Sequence, residues 1–385
     1  MSDEVTTHSR VDGEETQWGR GWYSGVVGIL LGGAGLGTVL CFHFPNLFTT
    51  PQLRGYYPVE IIRAILHLVL ITSFMLGLVS LVVRRRKVLG STAVCLALLA
   101  AILGGSQVAN FEGTVDQAGL YLGLDWFLLN LFFWSAIFIP LERMFAQRPE
   151  QPIFRRGWRT DMAYFFVSAL GLQLITLMTL KPATVLLAWT VSSKLRVLIA
   201  TQPWWLQLVE ILVIPDCVQY WIHRLFHQIP ILWRFHQIHH SAEAMDWLAG
   251  SRLHIVDVVV TRGLTYMPLF ALGYDTFPMA IYAAIVTVQA TFIHANVSFQ
   301  FGPLNYVLAT PQFHHWHHSS SEEAIDKNFS VHLPLWDMLF GTFHLPTNEW
   351  PQAYGVAGKQ TPEGFLKQLV YPLKAEAADD LPSVE

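Results

Sequence analysis

Four long apolar runs, at about 22–43, 59–83, 88–106 and 119–140, constrain this chain more than any other feature. About 20 apolar residues in a helix cover the roughly 30 Å of bilayer hydrocarbon. In lipid each backbone amide must find its partner inside the protein, which leaves the helix as the natural spanning element. The expected fold is therefore an all-α, multi-span integral membrane bundle. A fifth run covers about 162–190, and a sixth, about 204–222, leads into a cluster of histidines. Two more stretches, about 255–273 and 277–293, are interrupted at Tyr266-Met267-Pro268 and separated by Gly273 and Pro278, and read as a shallow hairpin or a short pair of spans. Composition agrees: 52% of the 385 residues are hydrophobic and only 14% are charged, against about 25% charged in soluble domains.

A net charge of -4 and the lack of a basic stripe set nucleic acid aside as a partner. Three cysteines in apolar runs, Cys41, Cys95 and Cys217, give no disulfide framework or zinc spacing and read as small buried hydrophobes. Residues 1–21 form a polar tail without the basic start of a secretory signal. Arg84-Arg85-Arg86-Lys87 follows the second run and Arg143, Arg148, Arg155, Arg156 and Arg159 follow the fourth, whereas the intervening loops carry Arg54 alone. With basic residues inside, the N-terminus and the histidines both fall on the cytosolic face. Arg148-Pro149-Glu150-Gln151-Pro152 marks a boundary. It separates an accessory transmembrane unit, 22–150, from a catalytic unit, 151–345, and a polar, acidic tail, 346–385, is expected to pack poorly.

Of 16 histidines, only His8, His43 and His67 precede residue 223. Three boxes follow: His223 and His227; His236, His239 and His240; His314, His317 and His318. Residues three or four apart share a helix face, so each box is expected to present its imidazoles together, with His315 off the face as a spare. Eight imidazoles exceed what one tetrahedral ion can use, so two metal ions are expected. Imidazole nitrogen suits iron, zinc, copper or nickel. His294, after the hairpin, and His254 are candidate ninth ligands. His8, His43, His67, His332 and His344 read as ordinary histidines. Asp216, two turns before His223, together with Asn328 and Asp337, is a candidate to support the ligands from behind; Glu243, Asp246, Asp257 and Asp326 are further candidates. Binding needs neutral imidazole, so metal is expected to leave as pH falls through the histidine range.

The three boxes resemble the fatty acid hydroxylase/sterol desaturase superfamily of membrane di-iron oxygenases, whose pattern is HxxxH, HxxHH and, after a hydrophobic hairpin, HxxHH. Asp216 through Arg224, the run Asp326-Lys327-Asn328-Phe329 and the segment Leu335 to Phe343 are similar to its flanks, so the likeness covers about 160–345. Thr310-Pro311 and Ile325 to Asn328 resemble the alkylglycerol monooxygenase-like members. The resemblance implies a cytosolic di-metal cap with two iron ions, zinc being a possible occupant on isolation. It implies O2 as co-substrate and hydroxylation or desaturation of a C–H bond in a lipid or sterol drawn from the bilayer. With no GxGxxG segment for a dinucleotide, electrons are expected from a separate cytochrome or ferredoxin. The rival readings are a zinc hydrolase with Glu243 as base, and a metal transporter, whose site would sit near the bilayer midplane.

Overall fold

The computed structural model describes residues 20–109, 120–171, 174–179, 185, 192–347, 349–358 and 361–374. The N-terminal tail up to residue 19 with His8, part of the fifth apolar run and the last 11 residues lie outside them. The described residues are helical, with no strand beyond one isolated bridge, Ser319 to Tyr354. The principal helices are α1 (Trp22–His43), α2 (Val59–Val83), α3 (Val88–Ile102), α4 (Leu124–Met144), α5 (Trp158–Leu170), α6 (Ser193–Ala200), α7 (Trp204–Gln228), α8 (Pro230–His240), α9 (Ile255–Leu272), α10 (Thr276–Phe292), α11 (Pro311–His317), α12 (Leu335–Phe340) and α13 (Phe365–Val370).

Among the described residues, five segments are long and apolar enough to cross a membrane: α1, α2, α3 with its following turn to Gln107, α4 and α9. The sixth run, expected to span, is the 25-residue α7, which is not among the five. Gln207, Glu210, Asp216 and Gln219 dilute its apolar character. The fifth run is not one helix over its described part: α5 ends at Gly171 and helix resumes over 174–179. The expected interruption at Pro268 is absent, since α9 runs through it to Gly273, whose φ of 71° ends the helix. α10 has 17 residues, so the hairpin pairs a full-length helix with a shorter one.

The chain divides into two compact units, residues 1–128 and 129–385, a division that falls inside α4 and ahead of the proline-bounded linker. In the first unit small residues let helices touch. A Cβ on Gly32 would lie 2.7 Å from Ser73 Oγ, and one on Gly90 would lie 2.7 Å from the Gly77 carbonyl. Van der Waals contact between close backbones is the chief attraction available inside lipid. The large side chains Ile61, Ile65, Leu68, Ile71, Met75 and Val79 of α2 point outward, while Ser73, Gly77 and Ser80 are buried. Cys95 is exposed in the same way, and Cys41 and Cys217 are half-buried, contrary to the expected burial of all three cysteines.

In the second unit Ile211, Leu269 and Tyr282 join α7, α9 and α10 in one apolar cluster. Trp134 and Phe138 of α4 pack with Trp247, Leu248, Ala295 and Val297, which explains why most of α4 groups with this unit. Over its described residues, up to 374, the C-terminal segment is packed, not loose. Trp316 Nε1 donates to the Glu349 carbonyl, Gly355 N–H to His318, Arg234 to Lys374, and Phe365 meets Tyr164 edge-on. Its aromatic residues Trp350, Tyr354, Phe365 and Tyr371 offset the polarity that suggested otherwise.

Candidate metal centre

Prolines start the two short helices that carry most of the imidazoles. Pro230 opens α8 after an extended Ile229, and Pro311 opens α11 behind Thr310, whose hydroxyl caps Phe313 N–H. A proline in the first turn loses no helical bond and brings its φ already set. α7 continues past its apolar part to deliver His223 and His227, and His294 follows α10.

Nine imidazoles converge in two groups. His223, His227, His236, His240 and His317 form one, and His239, His294, His314 and His318 the other. Within each, the facing nitrogens lie within 4.8 Å of one another. The groups adjoin, with the His240 and His318 rings stacked at 4.5 Å. The HxxHH boxes are thus not assigned box by box, as one shared face would require. From residue i, i+3 lies about 60° to one side of the helix and i+4 about 40° to the other. His236 and His240 go to the five-histidine group and His239 crosses over; His314 and His318 go to the four-histidine group and His317 crosses over.

Hydrogen bonds fix which nitrogen carries the proton. A carbonyl only accepts, so a ring nitrogen facing one must donate. His223 Nδ1 donates to the Phe329 carbonyl at 2.6 Å, His239 Nδ1 to Arg252 at 3.2 Å, His294 Nδ1 to Ala290 at 2.8 Å and His317 Nδ1 to Lys327 at 2.8 Å. His236 Nδ1 donates to the Asp257 carboxylate at 2.6 Å. In each neutral ring Nε2 is then a bare lone pair. Yet His223 Nε2 and His236 Nε2 are 3.0 Å apart, and His239 Nε2 and His294 Nε2 are 3.3 Å apart, with no proton to place between them. His227 Nε2, His240 Nε2 and His317 Nε2 are buried without a partner.

At the His239–His294 contact, protonation does not resolve this crowding. Burial, reinforced by neighbouring imidazoles, holds His239, His240, His314, His317 and His318 well below the usual histidine range, and burial brings His294 down to about 4. A cation between the lone pairs does resolve it. With a metal–nitrogen distance of about 2.1 Å, neighbouring ligand atoms stand about 3.0 Å apart at a right angle and about 3.4 Å apart in a tetrahedron. The observed 3.0, 3.1 and 3.3 Å separations fall in that interval. The donor set therefore fits two metal ions.

His254 joins neither group. Its Nδ1 caps the start of α9 by accepting Val256 N–H, and its Nε2 meets the Leu369 carbonyl. His315 turns away to Tyr354 Oη at 2.9 Å. His43, His67 and His332 face Leu103, Ser106 and Gln289. None of the three leading support candidates touches a ligand ring. Asp216 instead accepts His332 N–H, Leu333 N–H and Trp336 Nε1–H, so it holds the loop into α12. Asp337 accepts Phe329 N–H and Ser330 N–H, which fixes the carbonyl behind His223 at one remove. Asn328, at φ 58°, donates to the Phe313 and His344 carbonyls. Two of the remaining four candidates do reach a ring, Asp257 at His236 and Asp326 at 3.3 Å from His227. Glu243 pairs with Arg156 on the surface, which removes the support for it as a hydrolytic base.

A feature the sequence reading missed braces the second box. Arg155 bridges Asp161 and Asp246, each at 2.7 Å, and Asp161 also takes Arg252 Nε–H at 2.5 Å. Arg252 in turn donates to the Ser241 carbonyl, one residue past His240, and offers its own carbonyl to His239. Arg155 stood in the sequence only as an orientation signal.

Residues 208–342 match the fatty acid hydroxylase family. The chain is thus an all-helical protein whose residues 208–342 are similar to the fatty acid hydroxylase family and whose long apolar helices support an integral membrane protein. Among its relatives, ornithine lipid hydroxylase OlsE of Rhizobium tropici is 35% identical over 176 residues, 46% of this chain and 53% of that protein. Alkylglycerol monooxygenase of Homo sapiens is 36% identical over 128 residues, 33% of this chain and 28% of that protein. Fatty acid hydroxylase vlmA of a Lecanicillium species is 28% identical over 180 residues, 41% of this chain and 48% of that protein. The chain therefore matches about half or less of each relative's length. No solved structure matches it significantly.

Proposed function

We propose that this chain is an O2-dependent lipid hydroxylase that holds two iron ions in its histidine groups. The observation that carries the reading is the convergence of nine buried imidazoles whose proton positions leave lone pairs facing one another. Iron, when bound there, supplies the activation of O2 and the oxidation of a C–H bond. The chain's own residues set the conditions. The Phe329, Arg252, Ala290 and Lys327 carbonyls and the Asp257 carboxylate hold five rings with Nε2 inward. Burial keeps water from the site. The outward apolar faces of the membrane helices give a lipid chain a lateral approach.

Three relatives named as hydroxylases or monooxygenases favour hydroxylation over desaturation and a lipid over a soluble substrate. Lacking a dinucleotide or flavin motif, the domain takes electrons from a separate cytochrome or ferredoxin at the cytosolic face, a side that the basic loops support for the histidines. The test is incubation of the iron-loaded protein with a reductant, ornithine lipids, alkylglycerols or fatty acids, and 18O2. A product heavier by one 18O atom supports hydroxylation. A product lighter by two hydrogens replaces hydroxylase with desaturase. No O2-dependent product from any of these lipid classes overturns the reading.

A further inference from the structure

The two histidine groups differ in what stands behind their rings. In the five-histidine group His236 Nδ1 donates to Asp257 Oδ2 at 2.6 Å, and His227 Nδ1 lies 3.3 Å from Asp326. In the four-histidine group His239 and His294 rest on backbone carbonyls, and the Nδ1 atoms of His314 and His318 are buried with no partner. Both carboxylates that reach a ring therefore serve one group. Asp326 is half-exposed, so solvent weakens its influence. Asp257 is buried, and its second oxygen accepts Thr261 Oγ1–H at 3.1 Å. It sits in the first turn of α9, where the unpaired N–H groups favour an anion.

We infer that Asp257 is a positioning residue that makes the five-histidine group the tighter of two metal sites, so that the two sites fill in order. The inference rests on the reading of both groups as metal sites. A carboxylate behind a ligand imidazole fixes its ring and increases its electron donation to the ion. The four-histidine site lacks such a partner, and two of its rings have no anchor at the far nitrogen, so binding must also remove their freedom.

The experiment uses the full chain in detergent, stripped by chelator without O2 and titrated with cobalt(II). Visible absorption follows occupancy, and elemental analysis gives ions per chain. Wild type takes two ions in two phases. Asp257→Asn still takes two, but its tighter phase weakens by about 10- to 100-fold, while the weaker phase stays in place. Thr261→Val keeps the carboxylate and frees one of its oxygens. It weakens the same phase by a smaller factor, and it decides the question if Asp257→Asn fails to fold. Unchanged phases in the variants, or equal weakening of both phases, overturn the inference. A wild-type protein that binds no cobalt, or one ion, fails the metal-pair reading itself and with it the inference, and that result appears before any substitution is made.

Discussion

Gly250→Ala should empty one metal site and leave the other. Gly250 lies in the turn Ala249–Ser251, against the edge of the His294 ring. A Cβ there would stand 2.9 Å from His294 Nδ1 and 3.2 Å from Cε1 and Cγ. Carbon contacts are comfortable from about 3.5 Å, so the ring must retreat by roughly half an ångström. It is tethered at the contacted atom, because Nδ1 donates to the Ala290 carbonyl at 2.8 Å. A metal site tolerates ligand displacements of about 0.2 Å, so the shift exceeds what His294 Nε2 can absorb and remain a ligand. The four-histidine group is left with three ligands. The expected result is one tightly held ion per chain in place of two, by titration and elemental analysis. Overpacking should cost about 1–3 kcal/mol of stability, which thermal melting of the metal-free proteins would show. Two ions bound at wild-type affinity would refute both the contact and the assignment of His294 to the site.

Other consequences follow from the same geometry. His294 is held down to about 4 by burial, and the other shifted ligands move the same way. The unfolded chain then binds more protons than the folded one below about pH 6.5. These rings should make the melting temperature of the metal-free protein fall as pH drops from 6.5 toward 4; no fall down to pH 4.5 would contradict their burial. Metal-ligand protonation in the folded state moves to the same acid window, below the ordinary histidine range. Asp161→Asn leaves Arg155 and Arg252 short of a buried partner, at a cost of about 3–5 kcal/mol, read as a lowered melting temperature; an unchanged value would remove the brace from the account. His254→Ala should retain both ions and lose about 1 kcal/mol with the cap on α9. Loss of an ion in that variant would return His254 to the site.

The ligand types were legible because imidazole has few alternatives at such density, and the spacings put each box within reach of a metal. The sharing of ligands between groups was not legible. It depends on how α8 and α11 face each other, and a single helix wheel shows only that i+3 and i+4 lie on opposite sides of i. Asp216 misled for a related reason. Seven residues before His223 does put it on the same helix face, but the loop before α12 reaches that face first and occupies the carboxylate. Asp257 is 21 residues from His236 and belongs to another helix, so only packing brings them together. The apolar runs did not show how their helices touch: Gly25, Gly28 and Gly32 of α1 meet Ser80, Ala93 and Ser73 of its neighbours, a contact that only packing reveals.

The most direct test of the central claim is metal content per chain after expression in iron-57 medium and anaerobic purification, read by elemental analysis and Mössbauer spectroscopy. Two irons per chain in a coupled, nitrogen-ligated pair is the result expected, with loss of both signals in a variant lacking His236 and His314. Zero or one iron in the wild type, or iron retained in full by that variant, would contradict it.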